Sequence, residues 1–188
     1  MYKYFSNSVN MAQKIMIDYV KEGDIVLDCT LGNGNDTLSL AKLVGKNGKV
    51  YGFDIQSIAL KRTKEKLETK NLLDRVILIH DSHENIHKYI VDRPSFVIYN
   101  LGYLPGGDKK IVTNSTSTIK SLEKALKIMK SNGLLLITCY TGHSGGEGEK
   151  ESVETYLKSL DQKDFNILKF TFINQKNNPP ILYGVEKL

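Results

Sequence analysis

Hydrophobic positions change their period several times along the chain. In "VNMAQKIMIDYV" apolar residues fall at Val9, Ala12, Ile15, Met16, Tyr19 and Val20, the spacing of one helix face. "DIVLDCT" is a short apolar run and predicts a strand. "DTLSLAKLVG" predicts a helix, with Asp36 and Thr37 able to cap its start and Gly45 near its end. "KVYGFDI" is a second strand. "SIALKRTKEKLETKN" is a helix with Ser57 as expected N-cap and a charged outer face. "RVILIHD" and "SFVIYN" read as the third and fourth strands.

Farther along, "TSTIKSLEKALKIMK" gathers Ile119, Leu122, Ala125, Leu126 and Met129 on one helix face. "GLLLITCY" is a fifth strand and "GEKESVETYLKSL" a helix. "FNILKFTFI" and "ILYGVEKL" are strands joined by "NQKNNPP", too short for a crossover helix, so they pair as an antiparallel hairpin. The alternation predicts an α/β fold: a seven-stranded, mostly parallel sheet with helices on both faces and a C-terminal antiparallel hairpin. Neither repeats nor a linker divide the chain, so one domain is expected over 1–188. Ligands in such folds sit at the carboxyl ends of the strands, near the switch point.

Composition narrows the class. The chain has 188 residues, 40% hydrophobic and 25% charged, as ordinary globular proteins do. It has no apolar run of spanning length, and "MYKYFSNSVNMAQK" lacks the layout of a signal peptide, so no membrane association and a cytoplasmic location are expected. Cys29 and Cys139 lie in apolar runs and read as buried thiols. His80, His83 and His87 straddle a strand end and a loop without paired cysteines, so no metal is expected. A net charge of +5 agrees with a polyanionic partner without identifying one.

Chemistry concentrates at three successive strand ends. After Asp28, Gly32 and Gly34 let the backbone approach a ligand, and a helix opens near Asp36. A pyrophosphate turn would place a third glycine at 37, where this chain has Thr37, and Asp36 would repel an anion. The second strand ends in Asp54, suited to a ribose diol, and the third in Asp81 and Ser82, suited to an adenine amine. An acidic helix start, a ribose acid and a base-reading acid together suit an adenosine carrying a cationic amino-acid tail, S-adenosylmethionine. Taken singly, Asp54 and Asp81 are equally at home as turn formers or caps.

The stretch "DCTLGNG", Asp28 to Gly34, resembles the D-x-G-x-G-x-G motif of class I S-adenosylmethionine-dependent methyltransferases, with Thr30 in place of the first glycine. "TLGNGNDT", "DSHE", "NLGYLPGGDK", "YTGHSGGEGE" and "PPILYGVEK" together resemble the rRNA methylase family over nearly the whole chain. The resemblance implies a Rossmann-like class I fold, with S-adenosyl-L-homocysteine as product. It also implies methyl transfer to the aminomethyl group of a tRNA wobble (thio)uridine, giving methylaminomethyl-(thio)uridine, with the tRNA anticodon stem-loop as partner. rRNA or another amine is the competing acceptor. The cofactor set expected is Asp28, Thr30, Gly32, Asn33, Gly34, Asn35, Asp36, Thr37, Asp54, Ile55, Gln56, Asp81, Ser82, His83, Asn100, Leu101 and Gly102.

The acceptor half is expected in "YNLGYLPGGDKK". "NLGY" has the layout of the "NPPY" of amino-group methyltransferases, without its prolines. Asn100, or the carbonyl of Leu101, can accept a hydrogen bond from an amine, and Tyr103 can stack on a flipped base. The bland alternative is a turn capped by Asn100 with Tyr103 in the core. Asp28, His83 and His143 are candidates to take the amine's proton, and Asp108, Lys109 and Lys110 to shape the loop or meet phosphate. The lysine-rich stretch 61–70 reads as a solvated face, and the "NQKNNPP" tip as a second place to touch RNA. A homodimer would enlarge the contact surface of so small an enzyme. A nicotinamide oxidoreductase and a non-catalytic RNA-binding protein are the readings from other classes.

Overall fold

The computed structural model describes residues 5–108, 111–142 and 144–188. Seven strands form one sheet: β1 Ile25–Asp28, β2 Lys49–Asp54, β3 Val76–His80, β4 Phe96–Leu101, β5 Leu134–Cys139, β6 Phe165–Phe170 and β7 Ile181–Lys187. Their order is β3-β2-β1-β4-β5-β7-β6. β1 to β5 run parallel, whereas β7 is antiparallel to both β5 and β6, as a short hairpin requires. Sequence direction reverses across the sheet between β1 and β4, so the loops leaving these two strands diverge and open a crevice.

The period-two alternation of β4 shows how the layers form. Val97, Tyr99 and Leu101 face one side, with α4 Ser115–Ile128, α5 Gly146–Lys158 and a 3-10 segment, His83–Lys88. Phe96 and Ile98 face the other, with α1 Ser8–Tyr19, α2 Asn35–Leu43 and α3 Ser57–Glu68. Each fully buried Leu, Phe or Met side chain contributes roughly 1.5–3 kcal/mol from burial. Among the described residues, no helix is long and apolar enough to cross a membrane.

Local chemistry sets the helix starts. Asn7 caps α1 by accepting from Asn10 N at 2.7 Å, and Asn114 caps α4 by accepting from Ser117 N at 3.1 Å. Two expected caps are corrected. α2 is capped by Gly34 in the left-handed region, φ 71°, with Asp36 inside its first turn and the Thr37 hydroxyl turned inward. α3 begins at Ser57 after a Gln56 cap that makes no side-chain bond. The 3-10 segment after β3 carries no period that the hydrophobic pattern marks. Cys29 and Cys139 are free and buried, and desolvation pushes the Cys139 thiol up to about 12.

Candidate functional site

The carboxyl ends of β1, β2, β3 and β4 surround a cavity of about 390 Å³. That size falls in the range of small-molecule sites. The expected residues Thr30, Gly32, Asn33, Asn35, Asp36, Asp54, Ile55, Gln56, Asp81, Ser82, His83, Asn100, Gly102 and Tyr103 line it. Asp28, Gly34, Thr37 and Leu101 do not. His143, Lys109 and Lys110 lie outside the described residues.

Asp28 is the support behind the first loop. It is buried, accepting from the Thr37 hydroxyl at 2.5 Å and from Thr30 N at 3.2 Å. Desolvation and then the nearby Asp36 charge push its carboxyl up to about 7. The Thr37 hydroxyl therefore serves the carboxylate that shapes the loop. Thr30 in turn accepts from Asn100 N at 2.7 Å, which ties the first loop to the end of β4.

Asp54 holds both ends of its own neighbourhood. Its oxygens accept from Gly32 N at 3.0 Å and from Gln56 N at 2.9 Å. Each oxygen keeps lone-pair capacity toward the cavity, which a diol can use. Burial raises its carboxyl against those two bonds, which lower it. Asp81 is more heavily engaged than its sequence reading implies. It accepts from Ser82 N at 2.7 Å, from the Asn85 amide at 2.9 Å and from the Tyr89 hydroxyl at 2.8 Å. The side-chain donors Asn85 and Tyr89 hold it below the ordinary carboxylate range.

At the acceptor side, Asn100 Nδ2 donates to Asp36 Oδ2 at 2.8 Å. Gln13 of α1 makes a long contact, 3.4 Å, to the other Asp36 oxygen. That bond commits one of the two N–H groups of Asn100 and turns its Oδ1 away from Asp36. Tyr103 is 42% exposed, so it is not a core residue. It pairs with Val112 in an isolated bridge that closes the loop after β4. His83 is buried, edge-on to Tyr99 at 5.7 Å, and its Nδ1 has no partner. Burial pushes its imidazole down to about 4, so it is neutral near pH 7. His80 is occupied by Ile55 O at 3.0 Å, and among the described residues no three metal-ligating side chains converge.

Several wall residues escape a reading of strand ends. Val9 and Gln13 come from α1, Tyr140 from beyond β5, and Thr113, Asn114 and Ser117 from the start of α4. The polar Gln13 beside the buried stripe Ala12 and Met16 is the one sequence signal for α1's part in the site. Stretch 61–70 is solvated only in part. Lys61, Lys64 and Lys70 are exposed, but Arg62 and Lys66 bend back onto the loops.

The donor set fits one ligand class. Asp36 and Asp54 in the wall give a negative interior that attracts a sulfonium or ammonium and repels a pyrophosphate.

The profile of the family described as "Putative rRNA methylase" matches residues 50–186. The chain is 34% identical over 186 residues to a chloroplastic tRNA (mnm(5)s(2)U34)-methyltransferase of Arabidopsis thaliana, covering 94% of this chain and 68% of that one. A "putative rRNA-methylase" from Clostridium thermocellum superposes with a TM-score of 0.96 at 47% identity, covering 100% of both chains. A "putative methyltransferase" from Streptococcus mutans, solved in complex with SAH, superposes with a TM-score of 0.89 at 36% identity, again over 100% of both chains.

Proposed function

The chain belongs to the rRNA methylase family, and from that premise we propose that it is an S-adenosylmethionine-dependent RNA methyltransferase. Its acceptor in this reading is a primary amine, the aminomethyl group of a tRNA wobble (thio)uridine, which becomes methylaminomethyl-(thio)uridine. The observation that carries the amine is the orientation of Asn100. Asp36 takes one of its N–H groups, which turns the amide oxygen away from that carboxylate, and in this reading the oxygen is the end that meets the acceptor. A carbonyl can accept from an amine N–H and leave the nitrogen lone pair directed elsewhere, whereas an NH₂ group would compete for that lone pair.

When bound, the cofactor supplies an electrophilic methyl carbon on a sulfonium. Asp54 would hold the ribose diol, Ser82 and His83 would flank the base, and Gly32 with Thr30 would let the backbone close on the tail. Asn100 fixes the amine for an in-line attack, which positioning accelerates most. From the neutral amine, transfer would form the nitrogen–carbon bond as the cofactor's carbon–sulfur bond breaks, with the thioether S-adenosyl-L-homocysteine leaving and the amine's proton going to solvent. Asp28 is turned into Thr30 and Thr37, so it shapes the loop and does not meet the acceptor. Asp36, in the wall beside Asn100, is the carboxylate that orients that amide and favours the approach of a cationic group. Tyr103, half exposed at the mouth, stacks on the displaced base.

Tip residues between β6 and β7 stand on the same sheet edge. Cys139 pairs with Ile181, and the Ser8 hydroxyl donates to Pro180 O beside the wall residue Val9. Its position at the site's edge of the sheet supports reading the tip as a contact for the RNA. The test is methylation in vitro of defined tRNA carrying the aminomethyl precursor, followed by nucleoside mass spectrometry. Conversion to the methylaminomethyl nucleoside is expected. Methyl incorporation into rRNA alone, with none into that tRNA, would overturn the tRNA reading.

A further inference from the structure

Arg62 projects from α3 and reaches two loops at once. Its Nη1 donates to Asn33 Oδ1 at 3.2 Å and to Pro105 O at 3.4 Å, and its Nη2 donates to Gly106 O at 3.1 Å. Asn33 Nδ2 donates to the same Pro105 carbonyl at 3.2 Å. Lys66, one turn later on α3, holds the other side of Asn33: its Nζ donates to Asn33 O at 2.6 Å and to Asn35 Oδ1 at 2.7 Å.

The loop these groups seize is the one that follows β4. Its two limbs are joined by the Tyr103–Val112 bridge and by Thr113 N donating to Gly102 O at 2.9 Å. Thr113 also donates its hydroxyl to Glu149 Oε2 at 2.6 Å, and Thr118 donates to Oε1 at 2.6 Å, so the base of the loop rests on a buried carboxylate of α5. The far end, Pro105–Gly106, is fastened to the loop after β1 through Arg62 and Asn33. Leu104 and Pro105 line the cavity, so the position of this end sets the wall between its donor and acceptor halves.

All three Arg62 partners are neutral oxygens, and among the described residues no carboxylate pairs with it. A cation used in this way acts through direction. The planar guanidinium reaches an amide oxygen and two successive carbonyls together, and a lysine ammonium cannot reproduce that fork.

We propose that Arg62 is a positioning residue that latches the acceptor-side loop, at Pro105 and Gly106, onto the donor-side loop at Asn33, fixing the spacing of the two halves of the site. The inference rests on the methyl-transfer reading and not on which RNA is methylated. A misplacement of about 1 Å can cost on the order of 100-fold in rate, so a loosened latch shows in turnover.

Arg62→Lys and Arg62→Met in the full chain test it, with saturating cofactor and the RNA that the wild type methylates. Both variants are expected to lose kcat by about tenfold or more, with RNA affinity and its salt dependence kept. Hydrogen exchange at Gly107, whose amide donates to Leu104 O at 2.9 Å, is expected to rise in both. Full kcat in Arg62→Lys, with weaker RNA binding and a salt slope smaller by about one in Arg62→Met, would make Arg62 a phosphate contact and overturn the latch. Unchanged exchange at Gly107 overturns it as well. Should the wild type methylate no tRNA, the substrate reading falls alone, and the exchange measurement still decides the latch.

Discussion

Asn100 donates a side-chain N–H to Asp36 at 2.8 Å, and this bond turns the amide oxygen away from that carboxylate. Without a carboxylate there, the amide oxygen and nitrogen could exchange places. Asn100→Ala removes the acceptor and is expected to lower kcat on the order of 100-fold, with cofactor affinity changed only a few fold. Asp36→Asn keeps the shape but can offer either an oxygen or an NH₂ to Asn100. It is expected to lower kcat by about tenfold or more through a mixed amide orientation. Steady-state rates and calorimetry with the cofactor alone check both. Wild-type kcat in Asp36→Asn would remove the orienting role.

Asp54 carries two backbone amides, Gly32 N and Gln56 N, and faces the cavity. Asp54→Ala is expected to abolish measurable cofactor binding by calorimetry. It also leaves two amides unpaired, at a cost of roughly 1–3 kcal/mol for each one that water does not reach. Asp54→Asn separates these effects. Its side-chain oxygen can still serve one amide, so the fold is largely kept while the charged acceptor for the diol is gone. Wild-type affinity in either variant sinks the ribose assignment.

Much of this site is legible from strand ends because a parallel sheet delivers every β-to-α loop to one edge. Asp54, Asp81 and Asn100 each close an apolar run, and the topology brings them to one cavity. What does not show is the division of labour among acids. Asp28 and Asp36 are eight residues apart and look alike in sequence, yet one faces Thr37 in the interior and the other faces Asn100 in the wall. The difference arises from the tight turn through Gly32 and Gly34, which sets the direction of α2. Gln13, Arg62 and Lys66 were illegible for another reason: their partners, a carboxylate at the start of α2 for Gln13 and backbone and amide oxygens of loops for the other two, lie more than twenty residues away in sequence. Periodicity reports which face of a helix is apolar, not where a long polar side chain reaches.

The buried carboxyl of Asp28 makes stability depend on pH in a defined direction. Its native value is pushed up to about 7, and its unfolded value is ordinary, about 3.9. Between these values the native state holds more protons than the unfolded state, so this group's contribution falls as pH rises from about 4 to about 7. Above that both states are ionised and the slope vanishes. Asp28→Asn has no such titration. The stability of wild type minus that of Asp28→Asn, from urea unfolding, is expected to be larger at pH 5 than at pH 8. A constant difference, or one that grows with pH, would place the native carboxyl at or below its ordinary range.

Gly34 is required by space as well as by backbone. Its φ is 71°, and a Cβ there would lie 2.5 Å from Thr63 Oγ1, 2.8 Å from Thr63 Cγ2 and 2.9 Å from Thr63 Cβ. Gly34→Ala is expected to cost roughly 2–4 kcal/mol, the sum of left-handed strain and overpacking. The Thr63 hydroxyl is buried without a hydrogen-bond partner, so Thr63→Ala sacrifices no bond and clears two of the three close atoms. The double variant Gly34→Ala/Thr63→Ala is therefore expected to lose less than the two single losses combined, by about 0.5–3 kcal/mol. Urea unfolding of the four proteins at one pH measures that coupling. Strict additivity would mean that backbone strain alone, not contact with α3, reserves this position for glycine.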